Sequence, residues 1–392
     1  MNRRDFLLSA GGTAISLAST TTVRAGVSSG SCSANVNGSR IQMIDVSHSL
    51  TLQNIERLSA LGARTIGRYY VHEDASAECI PSKLFTVDES KAFKAFNSKA
   101  GSPGMAVVSA FQECNGCNKF VGDQSALVSR AQADGKEAAR LAALYKQPPK
   151  SAIYFGVDFN AHTSEKCVID NYGTQKEIND RIKIYFSEVG KQISAGGNNW
   201  KVGAYAGGDV CRMLNHAGLA EFFWLRASLA DYGTPRFYGQ KAWHIFQYRN
   251  EIRNYRGITI EGNVDADIIN PLNTYYGQWR PGEAKLPSGP SEADAKRVMM
   301  GRAFYSSASR GFLQREEDTG KLMHPISDPV PGQGRACRLV KCFPAKAGNQ
   351  ESAGVSFEEG DDVQAYFYLN DLVVGLPYDS MPKLGDQPND GI

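Results

Sequence analysis

A chain of 392 residues, 42% of them apolar, can bury one large core and a smaller one. Its 43 basic and 41 acidic residues nearly cancel and form no basic stripe, which argues against nucleic acid as a partner. No apolar run after the N-terminus reaches the ~20 residues that a membrane helix needs.

The first 25 residues read as an export leader. Arg3 and Arg4 precede Phe6-Leu7-Leu8, a weakly apolar stretch broken by Gly11, Gly12 and Ser16 comes next, and Val23-Arg24-Ala25 supplies a small-residue cleavage site. The paired arginines resemble a twin-arginine leader. Cleavage after Ala25 takes three of the 43 basic and one of the 41 acidic residues, leaving 40 of each. The mature chain is expected in the periplasm or outside the cell, with residues 26–37 as a flexible segment. In that oxidising compartment the eight cysteines are read first as disulfides. Cys337 and Cys342 are the nearest pair in the C-terminal region, and Cys79, Cys114 and Cys117 fall in two loops at one rim. Cys114 and Cys117 have CxxC spacing, but no second CxxC or paired histidine follows to complete a zinc site. Neither a metal nor a cofactor is expected.

Strand-like and helix-like stretches then alternate. Ile41 to Val46 is the first strand, and Leu52, Ile55, Leu58 and Leu61 mark one helix face. Thr65 to Tyr70 is the second strand, followed by a helix from Val87 to Lys99 that Gly101 and Pro103 stop. Met105 to Phe111 is the third strand, and an alanine-rich helix from Ser125 to Tyr145 ends before Pro148 and Pro149. Ser151 to Val157 is the fourth strand. Ile178, Ile182, Tyr185, Phe186, Val189 and Ile193 then share one helical face until Gly196. Lys201 to Ala206, Phe222 to Ala227, Ala242 to Tyr248 and Asn263 to Ile268 complete eight strands, with a short helix from Asp209 to Ala217.

This order predicts an α/β fold, either a parallel (β/α) barrel of the TIM type or an open doubly wound sheet. After the first strand stands Val46-Ser47-His48-Ser49 rather than a glycine-rich phosphate turn, which favours the barrel over residues 38–276. Pro281, Gly282, Pro287, Gly289 and Pro290 mark a linker over 277–297, and short β-like runs punctuated by Pro and Gly predict a small β-rich domain over 298–392.

In a parallel barrel the functional groups lie at the C-terminal ends of the strands. Those ends carry Asp45, Ser47 and His48; Arg68, Tyr69 and Tyr70; Gln112 and Glu113; Asp158 and Asn160; Tyr205; Arg226; Gln247 and Tyr248; and Asp265 and Asp267. Carboxylates flanked by aromatics suit glycoside cleavage, where one carboxyl protonates the leaving oxygen and another stabilises or attacks the anomeric carbon. A single strand-end Asp also serves as a helix cap or loop brace. His48 has no serine or cysteine to activate and reads as a hydrogen-bonded rim residue.

Ile44-Asp45-Val46-Ser47, Gly67-Arg68-Tyr69-Tyr70, Ile153 through Phe159, Gly203-Ala204-Tyr205 and Ile245-Phe246-Gln247-Tyr248 before Val264-Asp265 occur in an order that resembles a bacterial family. It is the glycoside-hydrolase-like family known as domain of unknown function 1906, a divergent relative of the family 25 lysozymes. The resemblance covers about residues 41–272. It implies a peptidoglycan-directed barrel with no helices between its last strands, in which Asp158, Asp45 and Asp265 are the catalytic carboxylates. Arg68, Tyr70, Tyr154, Asn160, Tyr205, Gln247 and Asp267 are the expected sugar contacts. The departure is Asn160, which stands where the lysozyme pattern has its glutamate general acid, and an amide donates no titrating proton. Glu73 or Glu113 replaces that acid only if its loop folds over the mouth. Three readings result: a hydrolase of envelope polysaccharide, a glycan-binding protein that has lost turnover, and a scaffold that docks a partner through the C-terminal domain.

Overall fold

The computed structural model describes residues 43–72, 83–112, 117–162, 166–226, 233–252, 264–270 and 272–291, then 302–305, 312–325, 336–343, 346–350, 352–356, 363, 365–368 and 372–374. The leader, residues 26–37, Glu73, Cys79, Glu113 and Cys114 lie outside them.

Eight strands close into a barrel: β1 (Met43–Val46), β2 (Thr65–Tyr70), β3 (Ala106–Phe111), β4 (Ala152–Gly156), β5 (Lys201–Ala206), β6 (Phe222–Leu225), β7 (Ile245–Ile252) and β8 (Val264–Ile269). Around them run α1 (Leu52–Ala60), α2 (Val87–Asn97), α3 (Gln124–Leu144), α4 (Lys166–Tyr172), α5 (Gln175–Ala195), α6 (Gly208–His216) and α7 (Thr234–Gln240). Side-chain oxygens of Thr51, Thr86, Asp123 and Thr174 accept from the first-turn amides of α1, α2, α3 and α5, so each of these helices begins where a capping residue fixes it.

Two expectations about the barrel strands and their connections need correction. The barrel is parallel only from β1 to β7, because β8 runs antiparallel to both β7 and β1. The stretch from Ile252 to Val264 is short for a parallel crossover, which takes about a dozen residues or more, so the chain returns in the opposite direction. The second correction is α7, a helix between β6 and β7 where none was expected; Pro235 in its first turn fits a helix start.

Strand periodicity sorts the side chains. Ile44, Val46, Ile66, Tyr70, Val107, Phe111, Ile153, Phe155, Ala204, Phe223, Leu225, Phe246, Ala266 and Ile268 face the helices in one large core. Met43, Tyr69, Val108, Ala110, Ala152, Tyr154, Phe222, Trp224, Ile245 and Ile269 fill the barrel interior as a second core. Two inward positions hold glycine because large rings need the space. A Cβ on Gly67 would lie 2.7 Å from the Trp224 ring and 2.6 Å from the Asp45 Cβ, and one on Gly203 would lie 2.6 Å from the Tyr154 ring.

The expected linker does not start as a free connector. Tyr276 sits in the interior core, where its hydroxyl pairs with Thr65 Oγ1 at 2.6 Å, and Trp279 forms an antiparallel bridge with Val107 on the outer face. Trp279 is fully buried and donates to Ser109 Oγ at 3.0 Å. Tyr276, the last residue of the expected barrel, and Trp279, inside the expected linker, therefore close the barrel floor, and the Pro and Gly signals mark only the chain after Trp279.

Beyond it, seven strands form an antiparallel sheet in the order β11-β10-β14-β13-β12-β9-β15. These are β9 (Arg302–Tyr305), β10 (Phe312–Arg315), β11 (Leu322–Pro325), β12 (Ala336–Phe343), β13 (Ser352–Ser356), β14 (Ala365–Tyr368) and β15 (Leu372–Val374). Cys337 and Cys342 both lie on β12. Five residues of strand span about 16 Å, whereas disulfide Cα atoms lie within about 7 Å, so the expected pairing of these two is corrected. Cys211 is a buried thiol on α6.

Candidate functional site

At the upper end of the barrel, inward-facing side chains meet in two linked groups. The first is built on β1, β2, β5, β7 and β8. Tyr69 Oη donates to Asp45 Oδ1 at 2.5 Å, and Gln247 Nε2 donates to Asp45 Oδ2 at 3.3 Å and to Asp265 Oδ2 at 2.8 Å. Tyr205 Oη donates to Gln247 Oε1 at 2.9 Å, which turns the amide so that its nitrogen faces the acids. The second group stands at the ends of β3, β4 and β6. Gln112 Nε2 donates to Asp158 Oδ2 at 2.8 Å and Arg226 Nη1 to Asp158 Oδ1 at 3.0 Å. Both Asp158 oxygens thus accept, one from a guanidinium, an arrangement that gives the group the character of an acceptor.

Asp265 reaches the mouth because β8 is reversed. Asp45 and Asp265 are antiparallel partners, as are Met43 and Asp267, so Asp267 lies one step deeper on the same face. Asp267 is completely buried, and its Oδ1 accepts from Trp224 Nε1 at 2.8 Å.

Burial raises Asp45 above the usual carboxylate range; hydrogen bonds from Tyr69 and Gln247 and the charge of Lys83 offset part of the rise, and Asp158 adds to it. Burial and the neighbouring Asp45 charge push Asp267 well above that range. Tyr69 and Tyr205 are also held well above the ordinary phenol value, first by burial and then by Asp45 and Asp158 respectively. Both remain donors. Among the described residues no three His, Cys, Asp or Glu side chains converge to hold a metal ion.

Of the expected residues, the structure brings Asp45, Asp158, Asp265, Tyr205 and Gln247 together. Asn160 lies just beyond Asp158 and is half-buried. Arg68 and Tyr70 have the wrong strand parity and face the helices. Arg68 forms a fully buried ion pair with Glu89 of α2, with Nε–Oε1 at 2.7 Å, and Tyr70 Oη donates to Gln147 Oε1 at 2.8 Å. Tyr154 faces inward but at the floor, fully buried, donating to the Tyr276 carbonyl at 2.8 Å. Asp267 lies beneath the mouth rather than in it. In their place stand Tyr69, Gln112 and Arg226, which alternation along the strands points to once the inward register is known. Lys83 carries no such signal. It comes after a segment with no strand or helix pattern, and it lies over the Tyr69 ring at 4.5 Å.

A family model described as Rv2525c-like, glycoside hydrolase-like domain matches residues 56–269, more than half of the chain. The chain belongs to that family. Two solved structures of the Tat-secreted protein Rv2525c of Mycobacterium tuberculosis, one in complex with HEPES and one with L-tartrate, are 21% and 22% identical. Each match covers 62% of this chain and 100% of the other, with a TM-score of 0.42. A family 18 glycoside hydrolase, an N-acetylglucosaminidase from Paenibacillus barengoltzii, is 11% identical over 83% of this chain and 86% of its own, with a TM-score of 0.31. No curated protein sequence matches the chain. Membership of the family agrees with the barrel and leaves the role of each mouth residue to its own chemistry.

Proposed function

We propose that this protein is exported and binds cell-envelope polysaccharide, such as peptidoglycan glycan strands, in the mouth of its glycoside-hydrolase-like barrel, with little or no turnover. The observation that carries this reading is the state of Asp158. Both of its oxygens accept hydrogen bonds, from Gln112 and Arg226, and the residue two positions on is the amide Asn160. The mouth therefore offers carboxylate acceptors to sugar hydroxyls and has no carboxylic acid at the position from which the lysozyme mechanism protonates a leaving group. Tyr205, half-buried, presents aromatic surface beside those acceptors. Export rests on Arg3-Arg4 and the weakly apolar stretch after them, and the protein for which the family is named is described as Tat-secreted.

A second reading, slow hydrolysis, has one observation in its favour. Asp45 is held above the usual carboxylate range by burial and so keeps a proton further toward neutral pH than an exposed aspartate. Reducing-end release and equilibrium binding on purified glycan strands separate the two. The binding reading expects measurable affinity, negligible release by the natural protein, weaker binding by Asp158→Ala, and some cleavage gained by Asn160→Glu. Robust cleavage by the natural protein that Asp158→Ala abolishes overturns it.

A further inference from the structure

Lys83 sits where a lysine is costly. The residue is 6% exposed, its ammonium lies over the face of Tyr69 with Nζ 4.5 Å from the ring centroid, and no hydrogen bond reaches that ammonium among the described residues. An ammonium carries three donors, and an acceptor on a ligand can engage them. The charge is compensated at longer range by Asp158, Asp45 and Asp265, the three carboxylates of the mouth. Burial nonetheless lowers its proton affinity below that of an ordinary lysine, and Arg68 acts in the same direction. The side chain is nearly enclosed and faces the acids, and its ammonium donors are open to an acceptor that a ligand brings.

We infer that Lys83 is a ligand-contacting donor of the mouth and sets its specificity, gripping the acyl carbonyl of an N-acylated amino sugar and rejecting the same sugar with a free amine. This rests on the glycan-binding reading above. The chemistry of the mouth selects that group. Asp45, Asp158 and Asp265 accept from sugar hydroxyls and have no use for a carbonyl oxygen, which only accepts. An ammonium supplies what the carbonyl lacks. A free amino sugar brings a second cation to Lys83 and offers no acceptor, so it loses the hydrogen bond and meets like-charge repulsion.

The test is calorimetric titration of the full chain with chito-oligosaccharides and with the same oligosaccharides after de-N-acetylation, for the natural protein, Lys83→Met and Lys83→Arg. The natural protein is expected to prefer the acetylated ligand. Lys83→Met is expected to lose roughly 10- to 100-fold in affinity for it and to bind the free amine at least as well, since the carboxylates are then unopposed. Lys83→Arg keeps a cation and is expected to keep the rejection of the amine. Lys83→Met takes away the cation that offsets the three carboxylates, so affinities are compared only after thermal melts show each variant folded, and Lys83→Arg keeps the offset. A pH series adds a readout that packing does not move: acetylated-ligand affinity falls on the alkaline side as Lys83 loses its proton, and the fall is absent in Lys83→Met. The other charged or titratable groups around Lys83 are Asp45, Asp158, Asp265, Arg68 and Tyr69, and all of them are kept in Lys83→Met, so a fall that persists in that variant comes from one of them and not from Lys83. Unchanged affinity and preference in Lys83→Met overturn the inference and leave the glycan reading standing. Absence of binding by the natural protein to either ligand and to purified glycan strands overturns both.

Discussion

Asp45 and Asp265 face each other as antiparallel partners across the seam where β8 closes on β1, and one amide nitrogen, Nε2 of Gln247, donates to both. Two carboxylates so close repel, and the shared donor is what lets them coexist in a largely buried mouth. Gln247→Glu removes that donor and adds a third carboxylate. It is expected to destabilise the fold by about 3 kcal/mol or more near neutral pH, because an uncompensated buried charge results, and to recover part of that loss in acid as the cluster takes up protons. Urea midpoints of the variant at neutral and acid pH check this. An unchanged midpoint at neutral pH refutes the role given to the amide.

Arg68 gives a contrasting case, a strand-end cation that holds the barrel to its helix layer. Its guanidinium meets both carboxylate oxygens of Glu89, at 2.7 and 2.9 Å, with both side chains buried. Arg68→Met is expected to cost about 3–5 kcal/mol by stranding the Glu89 charge, and the double variant Arg68→Met with Glu89→Leu is expected to regain much of it. Because neither side chain reaches the mouth, the folded double variant should bind glycan as the natural protein does. A large loss of affinity in a well-folded double variant returns Arg68 to the site.

His244 controls the acid side of the stability curve. Its Nδ1 accepts from the Phe223 amide at 3.1 Å, and burial lowers its pKa from 6.5 to about 4. The folded state resists protonation that the unfolded chain accepts, so this contribution is present above pH 6.5 and is lost as pH falls to about 4. The full span corresponds to about 3 kcal/mol. His244→Asn is expected to flatten the stability curve in that window relative to the natural protein, which chemical denaturation at several pH values measures.

The barrel was legible because its strands announce themselves twice, as apolar runs and as the segments between capped helices; Thr65 to Tyr70 and Lys201 to Ala206 begin and end as expected. The mouth was legible only to within one residue. A strand-end motif such as Gly67-Arg68-Tyr69-Tyr70 shows which residues lie near the rim, but alternation gives the interior to Tyr69 and the helix layer to its neighbours, and the sequence does not say which parity faces in. Depth was a second blind spot. Tyr154 and Asp158 share a face of the same chain segment, yet one lies at the floor and the other at the rim. A parallel β8 puts Asp267 toward the mouth; the reversed strand makes Asp265, the first acid of Asp265-Ala266-Asp267, the less buried one. Lys83 was invisible, since a lysine in an irregular segment reads as solvated until its surroundings are known.

The reversed strand sets up the last prediction, which concerns the proton beneath the mouth. Asp267 Oδ1 accepts from Trp224 Nε1, whereas Oδ2 is buried and receives no hydrogen bond among the described residues. The group beside it is the Asp45 carboxylate, which as an anion can only accept. The contact is satisfied when Asp267 carries a proton on Oδ2 and donates it to Asp45, in line with its strongly raised pKa, which burial causes first and the Asp45 charge second. A raised folded-state pKa means that the stabilisation is complete below the unfolded value near 3.8 and is lost as pH rises toward the folded value, the opposite sense to His244. Asp267→Asn reproduces the pattern permanently: its carbonyl accepts from Trp224 and its amide donates to Asp45. The variant is therefore expected to match the natural protein below about pH 3.8 and to exceed it increasingly as pH rises above that value, while Asp267→Ala loses about 1–3 kcal/mol by leaving Trp224 and Asp45 unmatched. Urea titrations of the three proteins from about pH 3 to about pH 9 give the comparison. If Asp267→Asn tracks the natural protein at a constant offset throughout, Asp267 is not the proton carrier and the Asp45 carboxylate is held by Tyr69 and Gln247 alone.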